Sequence, residues 1–228
     1  MLLLYEDHAV VGKSLPAFEE TCRDRLVPLL ASTTGGRLLW YFDRLLGQAH
    51  HVVTVLALAD GEALDRYADE VASGKLADVA WELDRLRHGV SGAILRPTPW
   101  SPPIDLDAVP VTATTGETAV FLENVAWPDE PMRAFSAQLG SSYERLWSGT
   151  SGTAPPVELV LAAHGIPPGP GQQMMVLQRA NDPLGFLGNV VVKLPADHPI
   201  ERAKAQGLEH RDRFASNLLM AAEWSPCH

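Results

Sequence analysis

The sequence predicts an α+β fold: two tandem ferredoxin-like β-α-β-β-α-β repeats, packed sheet to sheet as a pseudo-dimeric α/β barrel. Three observations predict it. Residues 86–102 (LRHGVSGAILRPTPWSP) and 210–226 (HRDRFASNLLMAAEWSP) agree at five of seventeen positions at an offset of 124. The identities are Arg87/Arg211, Leu95/Leu219, Trp100/Trp224, Ser101/Ser225 and Pro102/Pro226. The pairing extends backwards. His50-His51-Val52-Val53 aligns with Gln172-Gln173-Met174-Met175 at an offset of 122, and Leu4-Tyr5-Glu6 with Phe121-Leu122-Glu123 at 117. Finally, the same order of apolar periodicities is met twice. The repeats are expected at 1–103 and 118–228, joined by a linker at 104–117 that holds Pro110, Gly116 and several Thr.

In the first repeat, Leu2 to His8 reads as a short apolar strand. Ser14 stands as an N-cap, and Leu15, Phe18, Cys22, Leu26 and Leu29 then form one helical face. Gly35-Gly36 ends the helix. Leu38 to Leu46 reads as an aromatic-rich strand and His50 to Leu58 as its Val- and Leu-rich partner. Asp60 caps a helix to about Ala72, a second helix runs from Leu76 to His88, and Val90 to Leu95 is the last strand before Pro97 and Pro99. The second repeat predicts strands near 118–125, 157–164, 172–180 and 214–221, and helices near 131–147, 183–191 and 199–212. That element order is the split βαβ plan. A sheet with helices on one side leaves a bare face, and two such faces can enclose a cavity.

Composition bounds the function. The 228 residues are 46% hydrophobic and 20% charged, with mean hydropathy -0.02, which suits a packed core. The net charge of -10 argues against nucleic acid and anionic membranes as partners. No apolar run reaches the ~18 residues of a membrane span. The N-terminus meets Glu6 and Asp7 without a basic region, unlike a signal peptide. Cys22 and Cys227 alone give no disulfide framework, so a cytoplasmic setting is expected. The chain is expected to act as a monomeric pseudo-dimer or as a homodimer.

Tyr5-Glu6-Asp7-His8, followed by Gly12-Lys13, resembles the opening of NIPSNAP-like domains. Their pattern is Tyr-Glu-x-Arg and then a Pro-Gly-Lys turn; here His8 replaces Arg and Val11 replaces Pro. The tandem arrangement, with Trp-Ser-Pro closing each half, looks like a NIPSNAP-type member of the dimeric α/β-barrel superfamily. The resemblance implies a small-molecule cavity. The superfamily includes cofactor-free monooxygenases, polyketide cyclases, lactone isomerases and haem-handling enzymes, so the resemblance does not select a reaction. In the second repeat Glu123 stands at the Glu6 position and Val125 at the His8 position, which makes that half of a site degenerate.

The candidate catalytic residues are Glu6, His8, His51 and Tyr41. Glu6 and His8 share a strand face, and a carboxylate beside an imidazole is a general acid–base pair. His50 and His51 point to opposite faces, so one of them can serve the cavity. Trp40 and Phe42 share a face and suit an aromatic ligand wall; Tyr41 and Asp43 share the other. Glu123, His164, Gln173 and Arg179 are candidate substrate-binding residues, Arg179 or His164 for an oxyanion. Trp100 and Trp224 read as a structural clasp in each half.

The function expected is a small-molecule enzyme working by acid–base chemistry without a cofactor. Cyclisation, isomerisation, dehydration or oxygenation of an aromatic or polyketide-like intermediate are the reactions in view. One alternative is a metal enzyme in which Glu6, His8 and His51 form a two-His-one-carboxylate set. Another is a non-catalytic ligand carrier or scaffold.

Overall fold

The first strand, β1 (Leu2–Val10), is followed by α1 (Leu15–Thr21), a π-helical turn (Cys22–Leu26) and α2 (Val27–Thr34). The computed structural model describes residues 1–47, 50–148, 157–166, 172–185, 195, 205 and 210–227. The helical face read from the sequence is present: Phe18, Cys22 and Leu26 are buried, while Leu15 and Leu29 pack partly against them. Ser14 makes no capping bond through its side chain. Pro16 occupies the first turn, so an amide that such a cap would bind is missing there. The π turn precedes Pro28. A proline cannot bond the carbonyl four residues back, and the wider turn, with Val27 N donating to Cys22 O, absorbs the mismatch. Gly35 closes α2 at φ 71°, the left-handed conformation a glycine adopts freely.

Four further elements follow: β2 (Arg37–Arg44), β3 (His50–Leu58), α3 (Gly61–Ser73) and α4 (Ala77–Leu86), and then β4 (Arg87–Pro97). Asp60 caps α3, its carboxylate accepting from Ala63 N at 2.9 Å. The antiparallel strand order is β4-β1-β3-β2. The later elements are β5 (Val120–Pro128), α5 (Met132–Ser148), β6 (Val157–Gly165), β7 (Met174–Ala180) and β8 (Arg211–Ala221). Their order is β8-β5-β7-β6, the same arrangement of fourth, first, third and second strands. The helices expected at 183–191 and 199–212 fall largely outside the described residues.

The duplication extends to an irregularity of the backbone. β2 slips against β3 between Leu38 and Trp40, and β6 slips against β7 between Leu159 and Leu161. Each slip places two residues opposite one, as a β-bulge does. The register also corrects one part of the repeat. Glu6 pairs with Thr54, and Glu123 pairs with Leu177. With β7 offset by 122 from β3, the residue equivalent to Glu6 is Asn124, which pairs with Val176. Glu123 and Val125 therefore do not stand at the Glu6 and His8 positions; Asn124 and Ala126 do. A slip of one residue moves a strand's side chains to the other face.

The chain divides into two units, and the division is not a single cut near 104–117. One unit is Met1–Arg96, Pro103–Ala119 and Leu218–His228; the other is Pro97–Pro102 and Val120–Asn217. The segment that ends each repeat in sequence belongs to the other repeat's unit. In the first unit Ser225 Oγ accepts from Tyr41 N at 3.1 Å, and Trp224 donates to Glu19 at 2.7 Å. In the second unit Ser101 Oγ accepts from Ala162 N at 3.0 Å, and Trp100 donates to Ser136 at 3.1 Å. The two Trp-Ser-Pro motifs are clasps, as read from the sequence, but with exchanged owners. The expected linker is pinned to the first unit, where Gly116 N donates to Glu223 O at 2.7 Å.

Candidate active site

Within the first unit, β1 presents two polar clusters on opposite faces. Its even positions face the helices: Leu4 and Val10 pack into the core that holds Phe18, Cys22 and Leu30. Glu6 and His8 are on this side. They share a face, as expected, but it is the face covered by helices. His8 is 2% exposed, and its ring lies 5.1 Å from that of Phe18. Arg87 Nη1 donates to His8 Nδ1 at 2.6 Å. A guanidinium has no acceptor, so the His8 proton sits on Nε2 and is donated to Thr54 Oγ1 at 3.0 Å. Arg87 in turn bonds Asp84 through Nε at 2.9 Å. Glu6 Oε2 lies 3.9 Å from His8 Nε2.

Burial lowers the His8 pKa to about 3, and the Arg87 charge adds to the effect. Burial raises the Glu6 carboxyl, against the pull of Arg87. His8 is thus neutral in the fold and basic when unfolded. Its contribution to stability is complete above the unfolded value near 6.5 and is lost as pH falls toward 3, by ~1.4 kcal/mol for each pH unit in that window. Glu6 has the opposite sign: its contribution is present below 4.5 and is lost as pH rises through its raised folded value. In thermal melts from pH 7 to 4, the midpoint of His8→Gln is expected to fall less on acidification than that of the wild type. A profile unchanged by that substitution would contradict the assignment.

The odd positions of β1 lie on the face opposite the helices. Here Asp7 holds two partners. His51 Nδ1 lies 2.7 Å from Asp7 Oδ1, and Arg44 Nη2 donates to Asp7 Oδ2 at 2.8 Å. The carboxylate fixes the tautomer: Nδ1 carries the proton and Nε2 presents its lone pair. No described residue bonds His51 Nε2. Arg44, His51 and Asp43, with Leu15, His50 and Leu45, line a depression of about 350 Å³. His50 turns away from His51, its ring against Gly12, where a Cβ would approach it to 2.6 Å.

Trp40 and Phe42 share the Asp7 face. They are opposite Val55 and Val53, and their rings stack with centroids 6.2 Å apart. Tyr41 is on the helix side, fully buried against Trp224 at 4.8 Å, and burial pushes its phenol far up. It does not accompany His51. Nor does the expected metal set assemble, because Glu6 and His8 are on one face of the sheet and His51 is on the other. Among the described residues no group of three metal-ligating side chains gathers.

In the second unit Glu123 is 1% exposed, and Asn217 donates to its Oε2 at 2.7 Å. Arg179, two residues along β7 from Leu177, shares Glu123's face, while Gln173 lies just before β7. Arg179 pairs with Glu158 at 2.8 Å near solvent. His164 is opposite Met174 on the other face, its Nδ1 3.1 Å from Gly165 O.

Sequence reasoning missed Asp7 and Arg44. Asp7 lies between the two residues that it singled out. The match follows from the register, in which Ala9 pairs with His51 and odd residues of β1 share a face with odd residues of β3; the sequence alone carried no such signal.

Solved structures show the fold. An anthrone oxidase-like protein matches with a TM-score of 0.62 at 11% identity, over 97% of this chain and 91% of that one. The fold is that of the dimeric α/β barrels. A proposed monooxygenase from Lactobacillus acidophilus NCFM matches with a TM-score of 0.54 at 12% identity, over 97% of this chain and 96% of that one. A NIPSNAP domain protein from Burkholderia xenovorans matches 45% of this chain at 15% identity and a TM-score of 0.40. No family model and no curated protein sequence matches the chain. No helix among the described residues is long and apolar enough to cross a membrane.

Proposed function

We propose that the chain is a small-molecule enzyme of this barrel fold in which His51, held by Asp7, moves protons for an enolisable aromatic substrate. The observation that carries the reading is the Asp7–His51 pair, joined at 2.7 Å, with His51 and Arg44 lining a 350 Å³ depression. An oriented imidazole with a free lone pair can take a proton as a general base. Arg44 supplies positive charge where an enolate oxygen develops.

The names of the structural neighbours favour oxygenation. In that reaction His51 takes a proton from an activated CH2 group, and the resulting carbanion transfers electrons to dioxygen and forms a C–O bond. Loss of the second hydrogen and cleavage of the O–O bond leave a carbonyl and one water. The balance is one dioxygen consumed for each CH2 converted to C=O, with no cofactor drawn on. Supplying 1,8-dihydroxyanthrone to the purified protein is expected to give oxygen uptake equal to quinone formed, well above the uncatalysed rate. Uptake no faster than without protein would overturn oxygenation. A screen of enolisable aromatic ketones, followed by deuterium exchange at the acidic CH2, would then show whether proton abstraction survives.

A further inference from the structure

Asp43 lines the same depression as His51 and Arg44, and the chemistry proposed above does not use it. Its face follows from the register. Asp43 is opposite Val52, and His50 is opposite Val10. Val52 and Val10 both belong to the core beneath the helices, so Asp43 and His50 leave the sheet on the helix side. Arg44 and His51 leave it on the other side. Residues of both faces line one depression because it lies at the end of β2 and β3, where the chain turns through Leu45 and Gly47. Leu15, at the start of α1, and Leu45 are its apolar lining.

The Asp43 carboxylate is half-buried, and no described residue bonds or ion-pairs with it. Burial raises its pKa above the ordinary carboxylate value, and the nearby Glu19 charge adds to the effect. Arg44 is engaged elsewhere, its Nη2 donating to Asp7. A carboxylate that gives up water without gaining a partner costs stability. In the wall of a depression, the partner that fits is a donor on a ligand.

We propose that Asp43 accepts a hydrogen bond from a hydroxyl of the substrate, and that the substrate is an enolisable aromatic ketone carrying a free phenol. This inference rests on the proposed role of His51 and adds to it a polar group that the substrate must have. The ketone oxygen meets Arg44, the acidic CH2 meets His51, and the phenol O–H is donated to Asp43. The apolar edge of the rings lies against Leu15 and Leu45. Asp43 is a specificity-determining residue: a methyl ether in place of the phenol leaves the carboxylate desolvated and unpaired.

The 6-hydroxy and 7-hydroxy isomers of 2-tetralone, each beside its methyl ether, test this. All four have the ketone and the acidic benzylic CH2, and phenol and ether differ in whether the ring oxygen can donate. Isothermal titration is expected to show at least one phenol binding about tenfold more tightly than its ether, the worth of one hydrogen bond to a charged group. Asp43→Ala is expected to bring that phenol to the affinity of its ether. Its melting midpoint is expected to stay at or above that of the wild type, because an unpartnered carboxylate has been removed. In nitrogen-edited spectra, the His51 ring signals are expected to move with phenol and ether alike. Equal affinities for phenol and ether in both isomers, with His51 still perturbed, would overturn the Asp43 contact and leave the proposed role of His51 standing. A preference that survives Asp43→Ala would do the same. Spectra in which no tetralone moves His51 would overturn both.

Discussion

His51→Gln is expected to lower kcat by about 10²- to 10⁴-fold, the usual worth of a positioned general base. Glutamine keeps a donor near Asp7 but has no titratable nitrogen. The His51 side chain is 27% exposed, so the fold is expected to melt within a few degrees of the wild type. Asp7→Asn is expected to cost less, because the imidazole remains but its tautomer is no longer fixed. It also leaves Arg44 without its carboxylate partner. Steady-state rates of both variants on one substrate, with circular dichroism melts alongside, test this. A His51→Gln enzyme that retains more than a tenth of its activity would remove His51 from the chemistry. His8→Gln separates the two clusters: it is expected to leave the proton-transfer step intact, because His8 is buried under helices on the other face.

Trp224→Ala is expected to destabilise the first unit by about 3–5 kcal/mol, the range for truncating a buried aromatic. Trp224 is 7% exposed, lies 4.8 Å from the Tyr41 ring and donates to Glu19 at 2.7 Å. The substitution leaves a cavity beside a phenol whose own hydroxyl is buried without a partner among the described residues. Such a loss is a large part of a typical domain's margin of ~5–15 kcal/mol. Urea unfolding followed by far-ultraviolet circular dichroism would read it as a lowered midpoint. Trp224→Phe, which keeps a ring but not the N–H, is expected to cost about a third as much. A loss under about 1 kcal/mol for the alanine variant would show that the clasp is ornamental.

The fold was legible in the sequence because duplication doubled its signals. Trp-Ser-Pro recurs with the same partners in kind: a backbone amide for Ser101 and Ser225, and an oxygen on the first helix for Trp100 and Trp224. The site was less legible, for a geometric reason. β1 carries Glu6, Asp7 and His8 in succession, so each of its faces holds a charged or titratable group. Apolar alternation does not choose between Leu3 and Leu4 as the inward residue. The choice is made by three-dimensional packing, which sends Leu4, Glu6, His8 and Val10 beneath the helices. The same one-residue ambiguity lies behind matching Glu6 to Glu123 rather than to Asn124. The exchange of clasps was not legible either, since a linear repeat shows that a segment recurs and not which sheet it closes.

The exchange also orders events on the ribosome. Synthesis proceeds from the N-terminus, and β2 emerges early with the sequence RLLWYFDR. One edge of β2 is taken by β3, but the partners of its other edge, Leu219–Ala221, are translated long after it. Trp224 and Ser225 arrive later still. Until they emerge the nascent chain exposes an unpaired apolar edge, the kind of template on which strands from neighbouring chains assemble. A stalled or truncated transcript would deliver that edge permanently. Chaperone demand should accordingly rise with any delay between codons 44 and 219.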